Sequence, residues 1–159
     1  MFCDNMRKKK YEITDFKTMV QIIDSSTTVR LGFNTGNLPY IVPLSFGYEV
    51  INDNIILYIH SASEGRKVDL ISKDNHVTVE FDNFIKYYNV GPKFTCSYNS
   101  LMAEGRIEAI SDDDEKLKAL NLLLNHCEFH KKIDSSANCM KITNVYKIIL
   151  SNLSCKMHD

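Results

Sequence analysis

The amino-acid sequence predicts a mainly β protein closed into an antiparallel barrel, with a few helices. Six or more apolar segments of strand length follow one another at short spacing. Few of them are separated by long helical patterns, which disfavours a doubly wound parallel sheet. Clusters rich in Asn and Gly, at Asn34 to Asn37 and at Asn52-Asp53-Asn54, punctuate the run as turns.

The elements follow in order. Asp15 to Ser25 carries Phe16, Met19, Val20 and Ile23 at helical spacing. Val29, Leu31 and Phe33 then alternate with Arg30 and Gly32, the period of a half-buried strand. The next strand places Tyr40, Val42, Leu44 and Phe46 on one face and Ile41, Pro43 and Ser45 on the other. Pro43 has no N–H to give a ladder, so this strand must be interrupted there or lie at an edge. An apolar strand runs from Asn54 to His60. Ser61 with Glu64 three residues on reads as a capping box, which opens a short helix at Ser61. Val77, Val79 and Phe81 alternate with Thr78 and Glu80. Phe94 to Ile110 reads as one long bent strand or a pair, with Gly105 as a bulge. Ser111 with Asp114 caps a helix whose apolar stripe is Leu117, Leu120, Leu124 and Cys127. Asp112 to Glu115 is an acidic helix start favoured by the dipole. Val145 to Leu153 supplies the last strand.

Composition bounds the function. A chain of 159 residues is expected to form one domain, residues 1–159, without internal repeat or linker. Hydrophobic residues at 44% and charged residues at 25% are ordinary for a soluble globular protein. A net charge of -1 argues against a nucleic-acid partner. Arg7 to Lys10 form the only basic run, expected to be a frayed N-terminus. The longest aliphatic stretches are too short to span a membrane, and the first residues lack the apolar core of a secretory signal. Five cysteines, odd in number and without a C-x-x-C pair, suit free thiols in a cytoplasmic setting.

The segment His60-Ser61-Ala62-Ser63-Glu64-Gly65-Arg66-Lys67 carries the most chemistry. A helix start offers unpaired N–H groups and a positive dipole end, which suits a phosphate dianion. Arg66 and Lys67 add full charges, and Gly65 removes a side chain where a ligand can approach. The alternative is an ordinary capped surface helix with solvated cations. His126 and His130 stand four apart with Cys127 beside them, but no third ligand is evident and a solvated helix face is the better reading. Cys96 and Cys127 read as buried small hydrophobes rather than nucleophiles. No G-x-S-x-G, Walker A loop or G-x-G-x-x-G occurs, so hydrolase-elbow, P-loop and dinucleotide-fold readings lose their support.

Several ordered motifs carry a resemblance. Pro39-Tyr40-Ile41-Val42-Pro43-Leu44-Ser45-Phe46-Gly47-Tyr48 is followed by Tyr58-Ile59-His60-Ser61-Ala62-Ser63-Glu64-Gly65-Arg66-Lys67. Met6-Arg7-Lys8-Lys9 with Glu12-Ile13-Thr14-Asp15, Cys96-Ser97-Tyr98-Asn99-Ser100 with Gly105-Arg106, and Glu115-Lys116 with Ala119-Leu120 complete the pattern. Together they resemble the flavin-binding split barrels of the pyridoxamine 5′-phosphate oxidase-like superfamily, and within it the 5-nitroimidazole resistance family. Two departures stand out. Val29 occupies the place of a common Cys before the Arg-Leu pair, and Ser154-Cys155-Lys156 lacks the usual Gly-Lys.

The resemblance implies a six-stranded antiparallel split β-barrel and a homodimer with one FMN at each end of the interface. Under it, Val42, Pro43, Leu44 and Ser45 serve the flavin ring. Ser61, Arg66 and Lys67 hold the phosphate, with His60, Ala62 and Gly65 in the same cofactor-binding loop. Tyr98 and Ser100 come from the partner subunit, with barrel or interface packing the alternative for Tyr98. His60 is the catalytic candidate, as a proton donor with a pKa near neutrality, or else a structural histidine of the phosphate loop. The implied activity is an FMN-dependent oxidoreductase that reduces nitroaromatic or other small electrophilic substrates. The alternative is a non-catalytic flavin- or haem-binding module, because a fold does not fix a function.

Overall fold

A computed structural model describes residues 6–129 and 131–158. After a 3-10 turn at Lys9–Tyr11 come β1 (Glu12–Ile13), α1 (Phe16–Ser25), β2 (Val29–Phe33), β3 (Tyr40–Leu44), β4 (Gly47–Ile51) and β5 (Asn54–Ser61). The chain continues with α2 (Arg66–Lys73), β6 (His76–Val90), β7 (Lys93–Ala109), α3 (Asp113–His126), α4 (Cys139–Ile142) and β8 (Asn144–His158). None of the described helices is long and apolar enough to cross a membrane.

One antiparallel sheet holds all the strands, in the order β3-β2-β6-β7-β8-β5-β4, with β1 added alongside β8. The two outermost strands, β3 and β4, are neighbours in sequence, joined only by Ser45 and Phe46. The barrel thus closes through the chain rather than through a ladder, and this gap is its split. Pro43 lies on β3, at the edge, as its missing donor requires. Eight strands replace the expected six. Glu12–Ile13 pairs with Lys156 and Cys155, and Gly47–Ile51 folds back on β5. That hairpin turns on Asn52 and Asp53, both at positive φ (50° and 60°), the type I′ geometry that Asn and Asp tolerate.

Period-two alternation sets the core. Val29, Leu31 and Phe33 of β2 are buried, and opposite them in register stand Leu44, Val42 and Tyr40, packed against the same core. Val79, Phe81, Leu101, Ile107 and Ile148 fill the interior with Leu57 and Ile59. Met19, Ile22 and Ile23 of α1 are buried in it too, and Asp15 caps that helix by accepting from the Thr18 N–H at 2.8 Å.

Four local expectations are corrected. Phe94 to Ile110 is indeed one strand, β7, but Gly105 is no bulge. The register shift falls between Met102 and Glu104, whose β8 partners are Ser154 and Ser151, and the extra residue sits on β8, where Asn152 has φ 49°. Gly105 is glycine because a Cβ there would crowd the side chains of Ile148, Val77 and Val79 inside the barrel. Second, α3 is capped by Asp112, which accepts from the Glu115 N–H at 2.8 Å, rather than by Ser111. Third, its buried residues are Ala119, Leu120 and Leu123, while Leu117, Leu124 and Cys127 are only half-buried. The cause is tertiary: Gly47 brings β4 against the α3 backbone at Leu122 and Leu123, and this close approach selects the face. Fourth, the Arg7 to Lys10 run is not frayed. Met6 is buried, and the ammonium groups of Lys8 and Lys10 lie 5.9 and 4.5 Å from the centre of the Tyr11 ring.

Gly47→Ala tests the α3 contact. Its Cβ would collide with helix backbone, which cannot rotate away. The variant should lose about 1–3 kcal/mol in urea unfolding, as overpacked cores do. Gly36→Ala makes a poor control because of its positive φ, whereas Gly32→Ala meets only ordinary contacts and should lose less.

Candidate functional site

The His60–Lys67 segment occupies the corner between β5 and α2. The ladder of β5 with β8 runs on through Ser61, which pairs with Asn144. This extended pairing overrides the capping box: α2 opens at Arg66, Gly65 is its N-cap, and neither Ser61 nor Glu64 caps it. Gly65 has φ 128° and ψ 167°, a conformation that requires glycine. Arg66 and Lys67 are therefore the first two helical residues. Ser61 is buried and its hydroxyl donates to the Ala62 carbonyl at 2.7 Å, while Ala62 itself is exposed.

The two cations are held differently. The Arg66 guanidinium lies over the Tyr40 ring, 4.5 Å from its centre, which ties the start of α2 to edge strand β3. Lys67 is half-buried, with Nζ donating to the His60 carbonyl at 3.5 Å and no carboxylate within ion-pair range among the described residues. Burial pulls its amine below the ordinary lysine pKa. Burial also lowers the His60 pKa, and the neighbouring Lys67 charge lowers it further. His60 is thus biased toward neutral imidazole while Lys67 is charged.

β3 contributes in a particular way. Val42 and Leu44 turn into the core, so they can offer an external ligand only their backbone. Pro43 and Ser45 are exposed. Strand β3 has a neighbour on one side only, and its free edge presents unpaired backbone groups. Tyr98 and Ser100 lie elsewhere: they face His158 and Lys156 across β7 and β8, near the far end of β8 from Asn144 and Ser61.

A cavity of about 570 Å³ lies on the outer face of β2, β3, β6 and β7, lined by Arg30, Gly32, Ile41, Thr78, Glu80 and Met102 among others. Arg30 reaches Glu80 at 3.1 Å and also contacts Asp82. Alternation along β2 already placed Arg30 and Gly32 outward, but only strand register could set Arg30 against Glu80. The cavity shares β3 with the predicted site and none of its loop residues.

Of the histidines four apart, His126 is the last residue of α3. His126 bonds the Ser26 carbonyl at 2.8 Å through Nε2 and packs on Phe46 and Tyr48. His130 lies outside the described residues. Among these, no group of three His, Cys, Asp or Glu side chains could hold a metal ion. Cys96 and Cys127, expected to be buried, are half-buried, Cys96 within β7 and Cys127 at the C-cap of α3.

A split antiparallel barrel with a cationic helix start beside its open edge defines the class: it is the fold of pyridoxamine-phosphate-oxidase-like proteins. The chain belongs to the pyridoxamine 5′-phosphate oxidase family, whose sequence model matches residues 15–157. A Bacteroides thetaiotaomicron protein provisionally described as a 5-nitroimidazole antibiotic resistance protein superposes with a TM-score of 0.78 at 28% identity, covering 92% of this chain and 86% of its own. The flavocytochrome Anf3 of Azotobacter vinelandii gives 0.78 at 21% identity, covering 98% and 72%. A Mycobacterium smegmatis protein described as binding FAD and heme gives 0.75 at 15% identity, covering 94% and 74%. No curated protein matches the sequence.

The electrostatics of the corner are testable without ligand. The His60 ring protons should titrate below the ordinary 6.5 in an NMR pH series, and Lys67→Gln should raise the midpoint part of the way back. A midpoint that does not respond to Lys67→Gln would remove the coupling between them.

Proposed function

We propose that this protein is an FMN-binding oxidoreductase, dimeric, which reduces nitroaromatic or other small electrophilic acceptors. The observation that carries the reading is the half-buried Lys67 beside Arg66 at the start of α2, a cation with no carboxylate in ion-pair range among the described residues. An unpaired, partly desolvated ammonium is costly, and a phosphate dianion is the group that would offset it. Backbone N–H groups of the first α2 turn offer further donors. The flat ring of the cofactor would lie along the free edge of β3, whose unpaired backbone groups suit the polar rim of a flavin.

The flavin, when bound, supplies the electron transfer. The chain's own residues would bind and orient it. Arg66 and Lys67 neutralise the phosphate, the β3 edge fixes the ring, and His60 stands at the rim as the residue able to deliver a proton. Phosphate binding would cancel the Lys67 charge that biases His60 toward neutrality, so the loaded site would hold that proton more readily. Descriptions of the structural relatives as a flavocytochrome, as FAD- and heme-binding, and as a nitroimidazole resistance protein support the same class of ligand and acceptor.

The dimer is part of the same reading, and the separation of the two residue sets supports it. Ser61 stands beside the first residue of β8, and Ser100 beside Lys156 near its last. A ligand touching both sets takes them from two copies. Sedimentation should give about twice the 18.3 kDa of one chain at micromolar concentration, with FMN raising the melting temperature by mass action.

Arg66→Ala with Lys67→Ala tests the reading. Each charge-assisted contact is worth roughly 1.5–3 kcal/mol, so the pair should cost about two to four decades of FMN affinity. Riboflavin, which lacks the phosphate, should bind both proteins equally. Unchanged FMN affinity in the double variant overturns the assignment. Bleaching of the bound flavin by NAD(P)H separates an enzyme from a passive carrier.

A further inference from the structure

Arg66 opens α2 and is exposed, so its side chain would ordinarily wander through many rotamers. The fold restricts that freedom. Its guanidinium carbon lies 4.5 Å from the centre of the Tyr40 ring, inside the roughly 6 Å of a cation–π contact. Tyr40 begins β3 and stands opposite Phe33 in the β2–β3 register. Phe33 is buried, and the two ring centres are 6.1 Å apart. The ring under the guanidinium is therefore anchored on the core.

A ring beneath a guanidinium leaves its N–H groups, which point outward in their own plane, free to donate. Arg66 has no hydrogen bond or ion pair to any described residue. Glu64 lies two residues before it and Asp69 three after, yet neither carboxylate pairs with it. The Tyr40 hydroxyl likewise has no hydrogen-bond partner among the described residues. What Tyr40 offers Arg66 is thus the ring alone.

Two elements meet in this contact. Tyr40 belongs to β3, the strand given above to the flavin ring, and Arg66 to the helix start given to the phosphate. A stack between them fixes the spacing of the two before any ligand arrives. An arginine already held in one place loses less freedom on binding, which is the gain that preorganisation brings.

We propose that Tyr40 is a positioning residue, whose ring holds Arg66 with its N–H groups free for a phosphate. It thereby sets the preference for a phosphorylated flavin over an unphosphorylated one. The proposal rests on the phosphate reading above. It goes beyond that reading by naming the residue through which β3 acts on the cation.

The test titrates the flavin-free full chain with FMN and with riboflavin at low ionic strength, read by quenching of flavin fluorescence. Tyr40→Leu should weaken FMN by about two- to fivefold, the worth of an exposed cation–π contact, and leave riboflavin unchanged. Tyr40→Phe keeps the ring and should keep the FMN affinity. In an Arg66→Ala background, Tyr40→Leu should cost no further FMN affinity, because Tyr40 acts through Arg66. Tyr40→Met gives the same comparison should the leucine variant fail to fold. A tyrosine that serves packing alone would weaken both flavins alike and in both backgrounds, and that result overturns the proposal. Unchanged FMN affinity in Tyr40→Leu overturns it too. Wild-type FMN affinity in the Arg66→Ala, Lys67→Ala chain would instead overturn the phosphate reading, so the two failures are told apart.

Discussion

The pairing of β8 with three other strands holds this molecule together. Along its 15 residues it joins β7, β5 and the short β1. Its first residues extend β5 through Ser61, which sets where α2 can begin. Its last residues fix Lys156 and His158 against β7. The bulge at Asn152 divides the two regions and bends the strand, as bulges do.

Charge placement separates groups that stabilise the fold from groups left ready for a ligand. Lys118 pairs with Glu49, which also accepts from the Tyr58 hydroxyl, and Lys147 pairs with Glu115. These pairs fasten α3 to the barrel. Lys67 has no such partner among the described residues, and its lowered pKa carries a definite sign. The unfolded chain binds that proton more tightly, so this group's contribution to stability rises with pH as Lys67 deprotonates in the folded state ahead of the unfolded one. His60 acts in the same sense. Its pKa is also lowered, so stability falls as pH drops through the ordinary histidine value near 6.5. An anion at the corner opposes both effects by favouring the charged forms.

The fold was legible where local rules and tertiary packing agree. Alternation in Val29, Leu31 and Phe33 and in Val77, Val79 and Phe81 marks the strands, and Pro43 marks an edge, because burial and donor chemistry act residue by residue. The Ser61–Glu64 box misled because β-pairing with Asn144 outweighs a capping bond that the sequence alone would favour. Likewise, the buried face of α3 is decided by the Gly47 contact, a relation between residues far apart in sequence. At the site, the types Arg66 and Lys67 were readable, but the stacking of Arg66 on Tyr40 and the half-burial of Lys67 depend on the folded arrangement. The pairing of Tyr98 and Ser100 with His158 and Lys156 was not readable at all, since it depends on the register of β7 against β8.

The open seam between β3 and β4 bears on how the chain behaves before any ligand arrives. An exposed strand edge is a template on which other chains can add, and proteins blunt it with proline or short length. Here β3 spans five residues, and Pro43 removes one of its donors. The edge can thus meet a compact polar rim through a few backbone groups, yet it cannot extend an uninterrupted ladder to a stray strand. The seam that leaves β3 open on one side thus carries its own guard against newly made chains polymerising edge to edge.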